Sequence, residues 1–91
     1  MAGPRYIADP AEDVRAVPLD GLVALFHAPS GMTHIVAPPA PQILEALQEG
    51  PGDARAILAR IAALYEIEDG NAEAIEARLA ELEAAGLVRR A

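Results

Sequence analysis

Backbone breaks cut this chain of 91 residues into short pieces, and the spacing of those breaks limits what it can fold into. Asp20-Gly21, Ala28-Pro29-Ser30-Gly31, Pro38-Pro39-Ala40-Pro41, Pro51-Gly52 and Asp69-Gly70 all carry turn chemistry. Gly supplies left-handed backbone, while Pro presets φ and removes an amide donor. Before Pro38 the pieces carry short alternating or continuous apolar runs that suit strands. After Pro41 they lengthen and take on helical spacing. The order is therefore three strands followed by three helices. A three-stranded antiparallel meander covered on one face by helices is an α+β arrangement with the ingredients of a winged-helix-like domain.

The strand pieces are specific. Val14, Ala16 and Pro18 share one face of the first, with Arg15 and Val17 on the other. Pro18 cannot donate to a ladder, so this strand sits at a sheet edge or ends there. Asp20-Gly21 predicts a tight hairpin turn. The unbroken apolar run Leu22 to Phe26 predicts a central strand covered on much of both faces. Met32 to Ala37 is the third strand.

The helices follow. Pro41 suits the first turn of a helix whose apolar face is Ile43, Leu44 and Leu47 and whose end is Gly50. Asp53 is the expected N-cap of the second, with Ile57, Leu58, Ile61, Leu64 and Tyr65 on one stripe. Asn71 is the expected cap of the third, built on Ile75, Leu79 and Leu82 and closed by Gly86 and Leu87. Residues 1–13, with Gly3, Pro4 and Pro10 and no periodic pattern, read as a loosely ordered arm ahead of a domain spanning 14–91, with Tyr6 and Ile7 as candidates to pack back onto it.

Composition narrows function. One small domain buries roughly 60–65% of its unfolded surface. With 21 Ala among 91 residues, the large-side-chain core is thin and leaves little room for a deep active site. The absence of Cys removes disulfides and thiolate metal sites. A net charge of −7 opposes phosphate backbones and anionic membranes. No apolar run approaches the roughly 18 residues of a membrane span, and Met1 to Pro10 lacks a signal-peptide core. A cytoplasmic location is expected.

Residues that could do chemistry are few. Ser30, the only Ser, sits in a turn without the surroundings of a nucleophile elbow and reads as a turn former. His27 and His34 flank the same turn. A zinc site wants three or four protein ligands, so hydrogen bonding near the turn is the expected role, not metal binding. Glu73, Glu76, Glu81 and Glu83, with Arg78 among them, read as a solvated helix face. The Gly residues do not cluster into a phosphate loop. The reading is a protein without enzymatic activity, cofactor or metal.

One run carries a family resemblance. His27-Ala28-Pro29-Ser30-Gly31-Met32-Thr33-His34 has the form H-x-x-S-G-x-T-H. Around it stand Ile43-Leu44-Glu45-Ala46-Leu47 with Gly50, the pair Leu64-Tyr65, and Leu82 with Gly86-Leu87. Together, from Val14 to Arg90, they resemble the PqqD-like family of peptide chaperones and leader-recognition elements. The H-x-x-S-G-x-T-H run is most similar to a subgroup found beside HPr-kinase-like proteins. The chain departs from the family at Pro38-Pro39-Ala40-Pro41, where Asn or Ser often caps the first helix. It departs again at Glu49-Gly50-Pro51-Gly52, where Asp-Gly is common.

The resemblance implies a peptide-binding adaptor. A precursor (leader) peptide adds as an extra strand beside the third strand and lies against the last helix, by β-augmentation. Carried over, the edge is Met32, Thr33, His34, Ile35 and Val36. Leu79 and Leu82 form the groove floor with Ile75 deeper, and Arg78 reaches a leader carboxylate. The implied partners are the peptide and a peptide-modifying or HPr-kinase-like protein. Nothing later in the sequence supplies a fourth strand for that edge, although the arm, or the arm of a second copy in a homodimer, is a rival for it. Two other readings compete. One is a structural or regulatory interaction subunit of an HPr-kinase-like system without a peptide groove. The other is a winged-helix DNA-binding module, which the Glu-rich third helix opposes.

Overall fold

The computed structural model describes residues 3–64 and 72–91. Its elements are β1 (Tyr6–Ala8), a 3-10 turn (Ala11–Asp13), β2 (Val14–Pro18), β3 (Val23–His27), β4 (Met32–Val36), α1 (Ala40–Leu47), α2 (Ala54–Leu64), α3 (Ala72–Ala84) and β5 (Val88–Arg90). β2, β3 and β4 form an antiparallel meander with β3 in the middle. The expected α+β arrangement of a three-stranded meander and three helices is present. None of the helices described is long and apolar enough to cross a membrane.

The turns work as their residues suggest. Around Asp20-Gly21, Leu19 and Leu22 exchange backbone hydrogen bonds of 2.8 and 3.3 Å, with Gly21 at φ 72°. At the second turn the Gly31 N–H donates to the His27 carbonyl at 2.9 Å, with Gly31 at φ 70°. Asp53 Oδ1 accepts the Ala56 N–H at 2.8 Å and caps α2. At the end of α3 the Leu87 N–H donates to the Leu82 carbonyl (2.9 Å) and the Gly86 N–H to that of Glu83 (3.0 Å), with Gly86 at φ 80°. That is the paired Schellman pattern. It seats Leu87 in the core and sends the chain back as β5.

The core gathers strands and helices into one cluster. It contains Tyr6 of β1, Leu25 of β3, Ile43 and Leu47 of α1, Ile57 and Ile61 of α2, and Ile75, Leu79 and Leu82 of α3. Leu87 and Val88 close it from the C-terminal side. Leu44 and Leu58 pack at its margin. Arg60 ties the α1–α2 connection by donating to the carbonyls of Ala46 (3.2 Å), Gly50 (2.8 Å) and Pro51 (3.1 Å). It thereby satisfies acceptors that a helix end and a Pro-Gly loop would leave unpaired.

Three expectations change. The run Leu22 to Phe26 is central but not covered on both faces: all three helices lie on one side of the sheet, and Phe26 on the other is 44% exposed. Leu64, expected on the α2 stripe, is 62% exposed. Tyr65 and Asn71 lie outside the described residues. Part of the segment read as an arm, Tyr6–Ala8, is a strand. β1 pairs antiparallel with β5 in the register Tyr6↔Arg90, Ile7↔Arg89 and Ala8↔Val88. The Tyr6 amide and carbonyl also exchange hydrogen bonds of 2.8 and 3.1 Å with Gly52. Each strand has only three residues, too few to show alternation, so the pairing is a tertiary event with no local signature.

Tyr6 is the anchor of this ladder. Its ring is buried, and the Arg90 guanidinium sits 5.9 Å from the ring centre. Tyr6→Ala is expected to lower unfolding free energy by about 3 kcal/mol, within the range for large aromatic truncations. Urea denaturation would measure this, and a loss under about 1 kcal/mol would mean that β1 is not part of the cooperative unit.

Candidate functional site

Hydrogen bonding across the meander determines which backbone groups its edges offer. The His27 carbonyl faces the β4 side, where it accepts from Gly31. The Ala28 N–H faces the β2 side, where it donates to the Asp13 carbonyl at 2.8 Å. Alternation along β3 then turns Leu25 and Val23 toward β4. Their partners His34 and Val36 point back at β3. Thr33 and Ile35 are left with N–H and C=O directed outward. By the same parity, Val14, Ala16 and Pro18 face outward on β2.

The two edges differ chemically. β2 presents Pro18, which has no N–H, at an outward position. β4 presents no Pro and no carboxylate, Lys or Arg. Among the described residues β4 has no partner besides β3. An unblunted edge of this kind is a template for another strand.

Beneath the β4 edge runs a groove of about 480 Å³. Its sheet wall is Thr33 to Val36, and Arg78, Glu81, Leu82 and Ala85 of α3 with Leu87 form the facing wall. Ala37, Pro38 and Ala40 close one end. Cross-strand pairing puts Met32, His34 and Val36 on the helix side of the sheet and Thr33 and Ile35 on the outer side. His34 Nε2 is buried in this wall with no protein hydrogen-bond partner among the described residues. Arg78 Nε meets Glu81 Oε2 at 3.2 Å, both side chains being substantially exposed. An exposed pair one helical turn apart contributes under about 1 kcal/mol, so it is easily exchanged.

Most of the residues singled out from the sequence come together here, but not all. Thr33, His34, Ile35, Val36, Arg78 and Leu82 line the groove. Ile75 and Leu79 do not: they sit in the core, Leu79 with no exposed surface. The helical stripe that carries Leu82 continues inward through them, so spacing alone could not separate wall from core. Met32 lies at the hairpin end, 57% exposed and outside the groove. Glu81, Ala85 and Leu87 were missed. The i,i+3 relation of Glu81 to Arg78 was the available signal for the first. A second groove, of about 360 Å³, lies under β2 between Val14, Ala16 and Pro18 and Pro41 and Leu44 of α1.

The turn run has a structural role. His27 is buried and bonded through both ring nitrogens, Nε2 to Asp9 Oδ2 at 2.6 Å and Nδ1 to Ser30 Oγ at 2.7 Å. Ser30 Oγ also accepts the Met32 N–H at 3.2 Å. Asp9 Oδ1 takes Arg89 Nη1 at 2.9 Å. The line Ser30–His27–Asp9 resembles a hydrolytic relay in composition only. The amides of Gly31 and Met32 are already used within the turn and are not turned toward a reacting oxygen. The network instead ties the N-terminal segment, the β3–β4 turn and β5 together.

Hydrogen bonds from His27, and then from Arg89, hold the Asp9 carboxyl below the usual carboxylate range against an opposing burial effect. A depressed carboxyl contributes stability above its unfolded value near pH 4 and loses it as pH falls through the folded value. Asp9→Asn is expected to lower stability at pH 7 and to flatten the fall in urea midpoint as pH drops below the unfolded carboxyl value of about 4. An acid limb identical to wild type would show the network to be energetically idle.

No protein-family model matches the sequence, and no curated protein matches it. Among solved structures the chain is similar to TbiB1 in complex with the TbiA(beta) leader peptide. The sequence identity is 22%, the TM-score is 0.59, and the match covers 89% of this chain and 94% of that one. At that identity the likeness shows a shared fold, extending over nearly the whole of both chains.

Proposed function

We propose that this protein is a non-enzymatic adaptor that binds an extended precursor or leader peptide as an added strand on β4 and presents it to a second protein. The observation that carries the reading is the asymmetry of the sheet edges. β2 is blunted by Pro18, whereas β4 offers the N–H and C=O groups of Thr33 and Ile35 above a groove. A strand added there takes its affinity from backbone pairing and its selectivity from alternate side chains entering the groove. The fold shared with a protein solved in complex with a leader peptide supports the same reading.

Within this reading Thr33, Ile35, His34, Val36, Arg78 and Leu82 form the binding surface, while Ile75 and Leu79 support it from the core. The resemblance to proteins found beside HPr-kinase-like neighbours makes such a protein, or a peptide-modifying enzyme, the proposed recipient, in the cytoplasm. A homodimer through the β4 edge would compete with the peptide for the same groups.

Ile35→Pro separates edge pairing from folding, because the Ile35 N–H points away from β3. Peptides selected from a random phage-displayed library on the immobilised protein are expected to lose more than about tenfold in affinity on this variant. Thermal unfolding of Ile35→Pro should stay close to wild type, and Ala16→Pro on the β2 edge should leave binding intact. Selected peptides that bind Ile35→Pro as well as wild type would rule out strand addition at β4.

A further inference from the structure

The chemistry of the groove specifies more than an extended peptide. On an added strand, the residues opposite His34 and Val36 turn their side chains to the helix side, because cross-strand neighbours share a face. Those two residues are two apart in the peptide, whichever way it runs. The position opposite Val36 shares a face with that aliphatic side chain, and the groove also contains Leu82, Leu87 and Ala40. The same groove contains His34 Nε2, buried and without a partner among the described residues, and Arg78, paired there with its exposed neighbour Glu81. The guanidinium, and the ring nitrogen when it carries the proton, are donors suited to an incoming acceptor.

We propose that the groove selects a strand bearing a carboxylate side chain opposite His34 and an aliphatic side chain two residues away, opposite Val36. This rests on the strand-addition reading and adds the chemistry of the occupant. The carboxylate displaces Glu81 from Arg78 and gives the His34 ring nitrogen the partner it lacks. Glu81 thus occupies the guanidinium in the free protein, and a carboxylate replaces it there more effectively than a neutral or basic side chain does. The net charge of −7 works against any acidic ligand at long range, so the preference must come from these local contacts and should weaken with salt.

The test starts from the displayed random octapeptide library on the intact protein, followed by affinity measurements on synthetic peptides. Enriched sequences are expected to place Asp or Glu two positions from Leu, Ile or Val. Replacing that acid by its amide should weaken binding roughly three- to tenfold, and Lys should weaken it further. Glu81→Gln should tighten acidic peptides several-fold, and by more than it changes their amide versions. Arg78→Gln should shrink the acid–amide difference while keeping the residual binding that backbone pairing provides.

Two results overturn the proposal. One is enrichment of peptides that require an intact Ile35 but show no acid preference, which leaves strand addition standing. The other is equal affinity for acid and amide versions of a selected peptide. Failure to enrich any peptide sensitive to Ile35→Pro would overturn both strand addition and the acid preference.

Discussion

Three short helices can cover the width of about one strand, and the rest of the structure depends on that limit. α1, α2 and α3 have 8, 11 and 13 residues, or roughly 12–20 Å of helix each. Their combined apolar face seats Leu25 of the central strand fully. The flanking strands overhang. On the helix side of β2, Ala16 and Pro18 remain exposed, and on that of β4, His34 and Val36 are only partly covered. The grooves under both edges are therefore a product of size. A larger domain would fill them with additional core. Here the incomplete cover leaves side-chain pockets directly beneath free backbone groups, as a strand-binding site requires.

The far side of the molecule positions the groove. Leu87 lines it and belongs to the turn that leads into β5. β5 is held by β1, and β1 in turn by Gly52 in the loop after α1. The approach is close: a Cβ at Gly52 would stand 3.1 Å from Arg60 Nη1 and 3.3 Å from Ala56 Cβ. Asp9, immediately after β1, fixes the β3–β4 turn through His27 and β5 through Arg89. Both walls of the groove, sheet and α3 end, are thus referenced to the N-terminal segment.

What was legible in the sequence follows from the range of each interaction. Asp20-Gly21, Gly31, Asp53 and Gly86 act within a few residues of themselves, and each does what its residue type suggests. The meander and its register follow from two such turns. The β4 edge was readable because it rests on the same turns. The ladder of Tyr6–Ala8 with Val88–Arg90 was not readable: its partners are separated by most of the chain, and neither has a pattern alone. Asp9 as the partner of His27 was hidden for the same reason. The division of the α3 stripe into core at Ile75 and Leu79 and wall at Leu82 depends on the tilt of the helix under the sheet, which periodicity does not encode. The exposure of Phe26 reflects the count of helices, all used on one face. An unbroken apolar run could not announce that.

Pro18 has a consequence for assembly that extends past its own strand. Endless edge-to-edge growth of a sheet needs two competent edges on each molecule, one to offer and one to receive. Pro18 interrupts the outward donors of β2, leaving those of Val14 and Ala16, whereas the outward donors of β4 at Thr33 and Ile35 are uninterrupted. Pairing of β4 against β4 is then favoured over β4 against β2, and it is a closed two-fold arrangement that ends after two molecules. A missing hydrogen on one strand thus biases the meander away from open-ended growth.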